Sequence, residues 1–188
     1  SIPGELYSLT NLHYLDLDIT GITKISPSIS LLTNMDTLWI GGNNYETKIP
    51  VEIFSLTKLK VLEMAGAGFR GAIPNEIGSL TELEALWISN MPKVRGDIPA
   101  SMASLSKLSF LNLSGTPFTG GLENIAGIIS LKSLFLYNSP LALTTLPSSL
   151  SGLTNLESLN MSGGDFSAEL PAVMWEFNQL KRLTLAYM

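Results

Sequence analysis

Leu12-His13-Tyr14-Leu15-Asp16-Leu17 has the form L-x-x-L-x-L, and the chain returns to that form seven more times. It recurs as Met35 with Leu38 and Ile40, Leu59 with Leu62 and Met64, and Leu83 with Leu86 and Ile88. Then come Leu108 with Leu111 and Leu113, Leu131 with Leu134 and Leu136, Leu156 with Leu159 and Met161, and Leu180 with Leu183 and Leu185. The steps between the eight anchors are 23, 24, 24, 25, 23, 25 and 24 residues, a period that chance does not produce. In L-x-L the side chains alternate, so the two apolar residues face one way and the central residue the other. One strand of about five residues with a single buried face cannot stand alone. Stacked on copies of itself it forms a parallel sheet over a continuous core.

A second feature keeps the same period. Ile2-Pro3, Ile49-Pro50, Ile73-Pro74, Ile98-Pro99, Leu146-Pro147 and Leu170-Pro171 each precede the next anchor by nine or ten residues. Ile25-Ser26-Pro27 shifts the proline by one, and Leu122-Glu123 lacks it. Proline and glycine here turn the chain onto the opposite side, where a short 3₁₀ or helical turn carries it back. Ten residues after the anchors, Ile22, Tyr45, Phe69, Phe118, Leu141 and Phe166 are expected to form an inner spine. The expected fold is therefore an α/β solenoid over residues 1–188: about eight rungs, a parallel concave sheet, and 3₁₀ or helical turns on the convex side.

This pattern resembles the plant-type leucine-rich repeat, L-x-x-L-x-L-x-x-N-x-L-x-G-x-I-P, and Leu59 to Pro74 with Phe69, Gly71 and Ile73-Pro74 is a close match. The resemblance covers essentially the whole chain. It implies an extracellular or cell-surface recognition protein of the kind found in receptor-kinase ectodomains, receptor-like proteins and polygalacturonase inhibitors. The chain departs from the pattern at the consensus Asn, present only as Asn43; the other repeats carry Thr20, Ala67, Met91, Thr116, Ser139 and Gly164 there. In the family that side chain ties neighbouring turns through backbone groups. Thr and Ser are weak substitutes, while Asn90 and Asn138, one place early, are candidates to serve after a local shift. The chain begins in mid-repeat at Ser1-Ile2-Pro3 and stops just after a strand at Leu185-Ala186-Tyr187-Met188. That placement predicts a fragment without terminal caps, which in the family usually carry cysteine pairs.

Composition narrows the function. Leucine supplies 33 of the 188 residues, charged residues only 14%, and there is one His and no Cys. Thiol chemistry and Cys-ligated zinc are excluded, and acid–base catalysis has little material. A net charge of −5 argues against nucleic acid or an anionic membrane surface as partner, and no apolar run is long enough to span a bilayer. No cofactor or metal is expected. Asp16 and Asp18 stand about 7 Å apart by strand rise and read as solvated acids, too few for calcium. His13 reads as a rim histidine, and Gly41-Gly42 and Gly163-Gly164 follow strands where the solenoid turns, with no phosphate-loop lysine.

The concave face should carry residues two, four and six after each anchor. Six of those 24 positions are aromatic, Tyr14, Trp39, Trp87, Phe110, Phe135 and Tyr137, where the chain-wide 8% predicts about two. Aromatic residues favour strands and pack on neighbouring rows, which explains part of the excess. A clustered exposed apolar face is also a contact surface. Together with Glu63, these six are the expected ligand-binding residues. Asn112-Leu113-Ser114 and Asn160-Met161-Ser162 are N-glycosylation sequons at L-x-L centres, a pattern the repeat itself generates easily. The expectation is a non-catalytic module for a protein or peptide ligand. The alternatives are a structural or adhesive cell-surface solenoid, with homo- or hetero-assembly left open, and an enzyme inhibitor.

Overall fold

The computed structural model describes residues 2–143, 146–164 and 170–186. Eight three-residue strands form one parallel sheet in sequential order: β1 (Tyr14–Asp16), β2 (Thr37–Trp39), β3 (Val61–Glu63), β4 (Ala85–Trp87), β5 (Phe110–Asn112), β6 (Ser133–Phe135), β7 (Ser158–Asn160) and β8 (Arg182–Thr184). The register is uniform. Leu15, Leu38, Leu62, Leu86, Leu111, Leu134, Leu159 and Leu183 lie side by side, and from Leu38 to Leu159 they are at most 1% exposed.

The strands are shorter than the expected five residues, and the reason is local. Seven residues after each anchor the backbone enters the left-handed region: Ile19, Gly42, Gly66, Asn90, Gly115, Asn138 and Gly163 all have φ between 51° and 80°. Each of their N–H groups donates to a carbonyl of the next repeat, for example Gly42 to Ala65 and Asn90 to Ser114, so the turn is tied along the stack. Glycine and asparagine tolerate this conformation. Ile19, β-branched, does so only with strain. The position also corrects one expectation. Asn90 and Asn138 are exposed turn residues, not inward replacements for the consensus Asn.

That inner position is filled in several ways. Asn43 is buried; its Oδ1 accepts the N–H groups of Gly21 and Ile22, and its Nδ2 donates to the carbonyls of Leu17 and Gly41. Thr116 does a reduced version of this, donating to the Ile88 carbonyl and accepting the Met91 N–H. Ser139 reaches the Thr116 carbonyl at 3.4 Å. Ala67 and Met91 are fully buried and contribute only apolar contact. The spine assembles as expected through Ile22, Tyr45, Phe69, Phe118 and Leu141, all buried, with Tyr45 and Phe69 stacked at 4.3 Å; Phe166 lies outside the described residues. The repeat that holds Lys93 ten after its anchor buries Val94 instead.

On the convex side the chain makes 3₁₀ turns, among them Val51–Ser55, Asn75–Ser79 and Ala100–Ser104. Pro50, Pro74 and Pro99 precede them in extended conformation, and each proline carbonyl accepts the first bond of the turn, from Ile53, Ile77 and Met102. Proline suits this place because its φ is preset and it has no N–H to satisfy. Ser26 and Gly121 take the role where the proline is shifted or absent.

Candidate functional site

With the leucines turned inward, the flanking strand residues present a continuous concave surface. Its central row runs Asp16, Trp39, Glu63, Trp87, Asn112, Phe135, Asn160 and Thr184. The row on one side holds Tyr14, Thr37, Val61, Ala85, Phe110, Ser133, Ser158 and Arg182.

The aromatic rings meet diagonally, each from one row against a ring of the other row in the adjacent repeat. Tyr14 meets the edge of Trp39 with ring centres 5.6 Å apart. Trp87 packs on Phe110 at 4.4 Å, and Phe110 on Phe135 at 5.3 Å; the strand neighbours of Phe110 in register are Ala85 and Ser133. Two aromatic groups result, one in the first two repeats and one in the fourth to sixth. Tyr14 is 50% exposed; the other expected aromatics, Tyr137 included, are half-buried.

Glu63 lies between the two groups, and its surroundings were not legible from its own repeat. An ideal Cβ on Gly41 would stand 2.4 Å from Glu63 Oε2, so the carboxylate occupies the notch that Gly41 leaves in the face. Its Oε1 accepts the Ala65 N–H at 2.8 Å, while Oε2 is buried without a hydrogen-bond donor. Across the same notch is Asp18, whose Oδ1 accepts the Gly41 N–H at 2.6 Å. Burial, and then the negative charge of Asp18, push the Glu63 carboxyl up to about 7, although the Ala65 N–H pulls the other way. Near neutrality Glu63 is therefore partly protonated. Burial, followed by the charges of Asp16 and Asp18, also raises the Tyr14 hydroxyl. The Trp39 Nε1 is a second buried polar atom without a partner. The sequence signal for the pair was a lone glycine in a concave row otherwise filled by Asp18, Ala65, Ser89, Ser114, Tyr137, Ser162 and Ala186.

Asn112 and Asn160 have a structural role of their own. Each Oδ1 accepts the N–H two residues on, at Ser114 and Ser162, ending the strand. Asp16 does the same for Asp18. His13 sits on the exposed margin with Nδ1 2.6 Å from Asp36 Oδ2, and that hydrogen bond holds the Asp36 carboxyl below the usual range. The ion pairs among the described residues lie off the central rows: Asp36 with His13 and Lys60, Glu46 with Arg70 and Lys93, Glu82 with Lys107, and Glu157 with Lys181. Asp16, Asp18 and Glu63 are in none of them. Among the described residues no group of three His, Cys, Asp or Glu side chains is placed to hold a metal, and no helix is long and apolar enough to cross a membrane.

A family model for the leucine-rich repeat region matches residues 3–119. Among curated proteins no sequence match is found. Solved structures match closely. A leucine-rich repeat protein of Leptospira interrogans superposes with a TM-score of 0.85 at 28% identity, covering 98% of this chain and 45% of that one. The ectodomain of the Arabidopsis thaliana receptor kinase GASSHO1/SCHENGEN3, solved with Casparian strip integrity factor 2, gives 0.81 at 29% identity, with 98% and 22% coverage. A plant peptide hormone receptor solved with its peptide RGF2 gives 0.81 at 27%, with 100% and 30%. This chain thus spans less than half the length of each of these structures.

Proposed function

The chain belongs to the leucine-rich repeat family, in its plant-type class, and on that premise we propose that it is a non-catalytic extracellular module that binds a peptide or protein on its concave face. The observation that carries this reading is the aromatic surface. Trp39, Trp87, Phe110 and Phe135 stand at positions where the fold requires nothing apolar, since the core is already filled from the other side of each strand. Half-buried rings on a rigid sheet bind with little loss of side-chain entropy, which is why such residues dominate contact energies. The likeness to ectodomains solved with peptides supports the same choice.

The test is selection of a displayed library of random linear peptides on the folded chain, followed by the Trp39→Ala/Trp87→Ala double variant. Loss of roughly 30-fold or more in affinity, a little over 2 kcal/mol, is expected if both rings are anchors. Selection of no peptide, or affinity unchanged by the double variant, would overturn the reading.

A further inference from the structure

The charges on the concave face are not scattered. Its carboxylates, Asp16, Asp18 and Glu63, all fall in the first three repeats. From Ala85 to Asn160 the two strand rows hold no charged residue, and Arg182 is the first to follow. The ion-paired acids, Asp36, Glu46, Glu82 and Glu157, lie off this face, each with a lysine, arginine or histidine beside it. The concave three have none. The charge that acts on Glu63 is that of Asp18, and the Tyr45 hydroxyl, pushed up to about 12 by burial, feels both carboxylates; neither group brings a positive charge.

Resting on the peptide-binding reading, we infer that the concave face selects an extended peptide carrying a lysine or arginine about three residues from an aromatic or aliphatic residue. The basic side chain lies against Tyr14, Trp39 and the Asp18–Glu63 pair, and the apolar one against Trp87, Phe110 and Phe135.

Charge, ring placement and spacing set this preference. First, a guanidinium or ammonium is matched to both parts of the acidic zone: the carboxylates attract it directly, and the faces of Tyr14 and Trp39 add cation–π attraction. Second, the neutral zone offers a continuous three-ring platform whose neighbours, Asn112 and Ser133, are uncharged. It suits an apolar side chain and offers a cation no carboxylate partner. Third, the zones have a fixed spacing. From the Trp39/Glu63 step to the Trp87/Phe110 step is two repeats, about 10 Å at the usual strand separation. An extended peptide covers that in about three residues at roughly 3.3 Å each.

A cation bound there takes the place of the proton that Glu63 holds up to about 7. Binding therefore releases a proton below the raised value of Glu63 and none above it. Affinity for a basic peptide rises with pH up to about 7 and then levels. The limiting slope is roughly tenfold per pH unit for one linked proton.

The experiment uses the peptides selected on the full chain, each compared with a copy whose Lys or Arg is replaced by Gln, a change that leaves the protein untouched. Expected are enrichment of a basic residue about three positions from an apolar one, at least tenfold weaker binding of the Gln copy, and loss of that difference in the isosteric Asp18→Asn/Glu63→Gln variant. Affinity of the basic peptide should increase between pH 6 and 7.5 while that of the Gln copy stays flat. Peptides that bind without basic preference, or a preference that survives the double variant, would overturn this inference and leave the peptide-binding reading standing. If no peptide binds, both fall.

Discussion

Tyr14–Trp39 and Trp87–Phe110–Phe135 are built by the same strand positions on the same sheet, yet one group sits among carboxylates and the other among amides, hydroxyls and an alanine. Beneath both, from the second repeat to the seventh, the strand leucines lie in register and fully buried. The contrast separates what the solenoid requires from what it leaves free. Side chains under the sheet answer to packing, and those above it answer to whatever the face meets.

The first way to break the comparison is to look for a difference where none should exist. Leu62→Ala beneath the acidic zone and Leu134→Ala beneath the neutral one each remove a buried side chain from the same position of the repeat. Each should cost about 3 kcal/mol in urea unfolding, with the two agreeing to within about 1 kcal/mol. A large disparity would mean that the zones differ in their core as well as on their surface.

Gly41→Ala tests the notch that defines the acidic zone. The added methyl meets Glu63 Oε2 at 2.4 Å and the Ala65 carbonyl at 2.6 Å, so Glu63 must leave. A loss of about 2 kcal/mol is expected, as for other overpacked sites. Gly4→Ala, with nothing within 4 Å, should be close to neutral.

Glu63→Gln sharpens the electrostatic half of the contrast. Glu63 in the folded chain holds its proton up to about 7, well above an unfolded glutamate. Its contribution is therefore fully present below about pH 4 and is lost as pH rises towards 7. Wild-type stability should fall across that window by about 1 to 2 kcal/mol, after allowing for solvent screening of a half-buried group, and the Gln variant should be flatter. Parallel pH profiles would sink the description of Glu63 as a carboxyl raised by burial.

The smallest effect concerns the left-handed turn. Ile19→Asn gives the first repeat the residue type found at Asn90 and Asn138, and thermal unfolding should show a gain of about 1 kcal/mol. Asn138→Ile should lose a similar amount. Ile19 is 82% exposed, so burial does not offset the strain.

Much of this was legible in the chain itself. The 23–25-residue period, the buried rows, the proline-led turns and the spine through Tyr45 and Phe69 follow from which residues recur and at what spacing. Asn90 and Asn138 were misread because periodicity identifies equivalent positions without saying which backbone conformation each adopts. Glu63 stood out as a concave residue, but Asp18 as its partner did not, because they belong to repeats separated by a whole turn. Only the missing side chain at Gly41 lets them meet.

The sequence by itself determined the solenoid, its number of rungs and which face is core, because those depend on a hydrophobic period that every repeat carries. The tertiary structure decided how side chains from different repeats combine: rings packed diagonally into two groups, and two carboxyls brought together over a glycine. Such contacts run across the stack, between residues far apart along the chain, and depend on which neighbouring side chains are small enough to leave room.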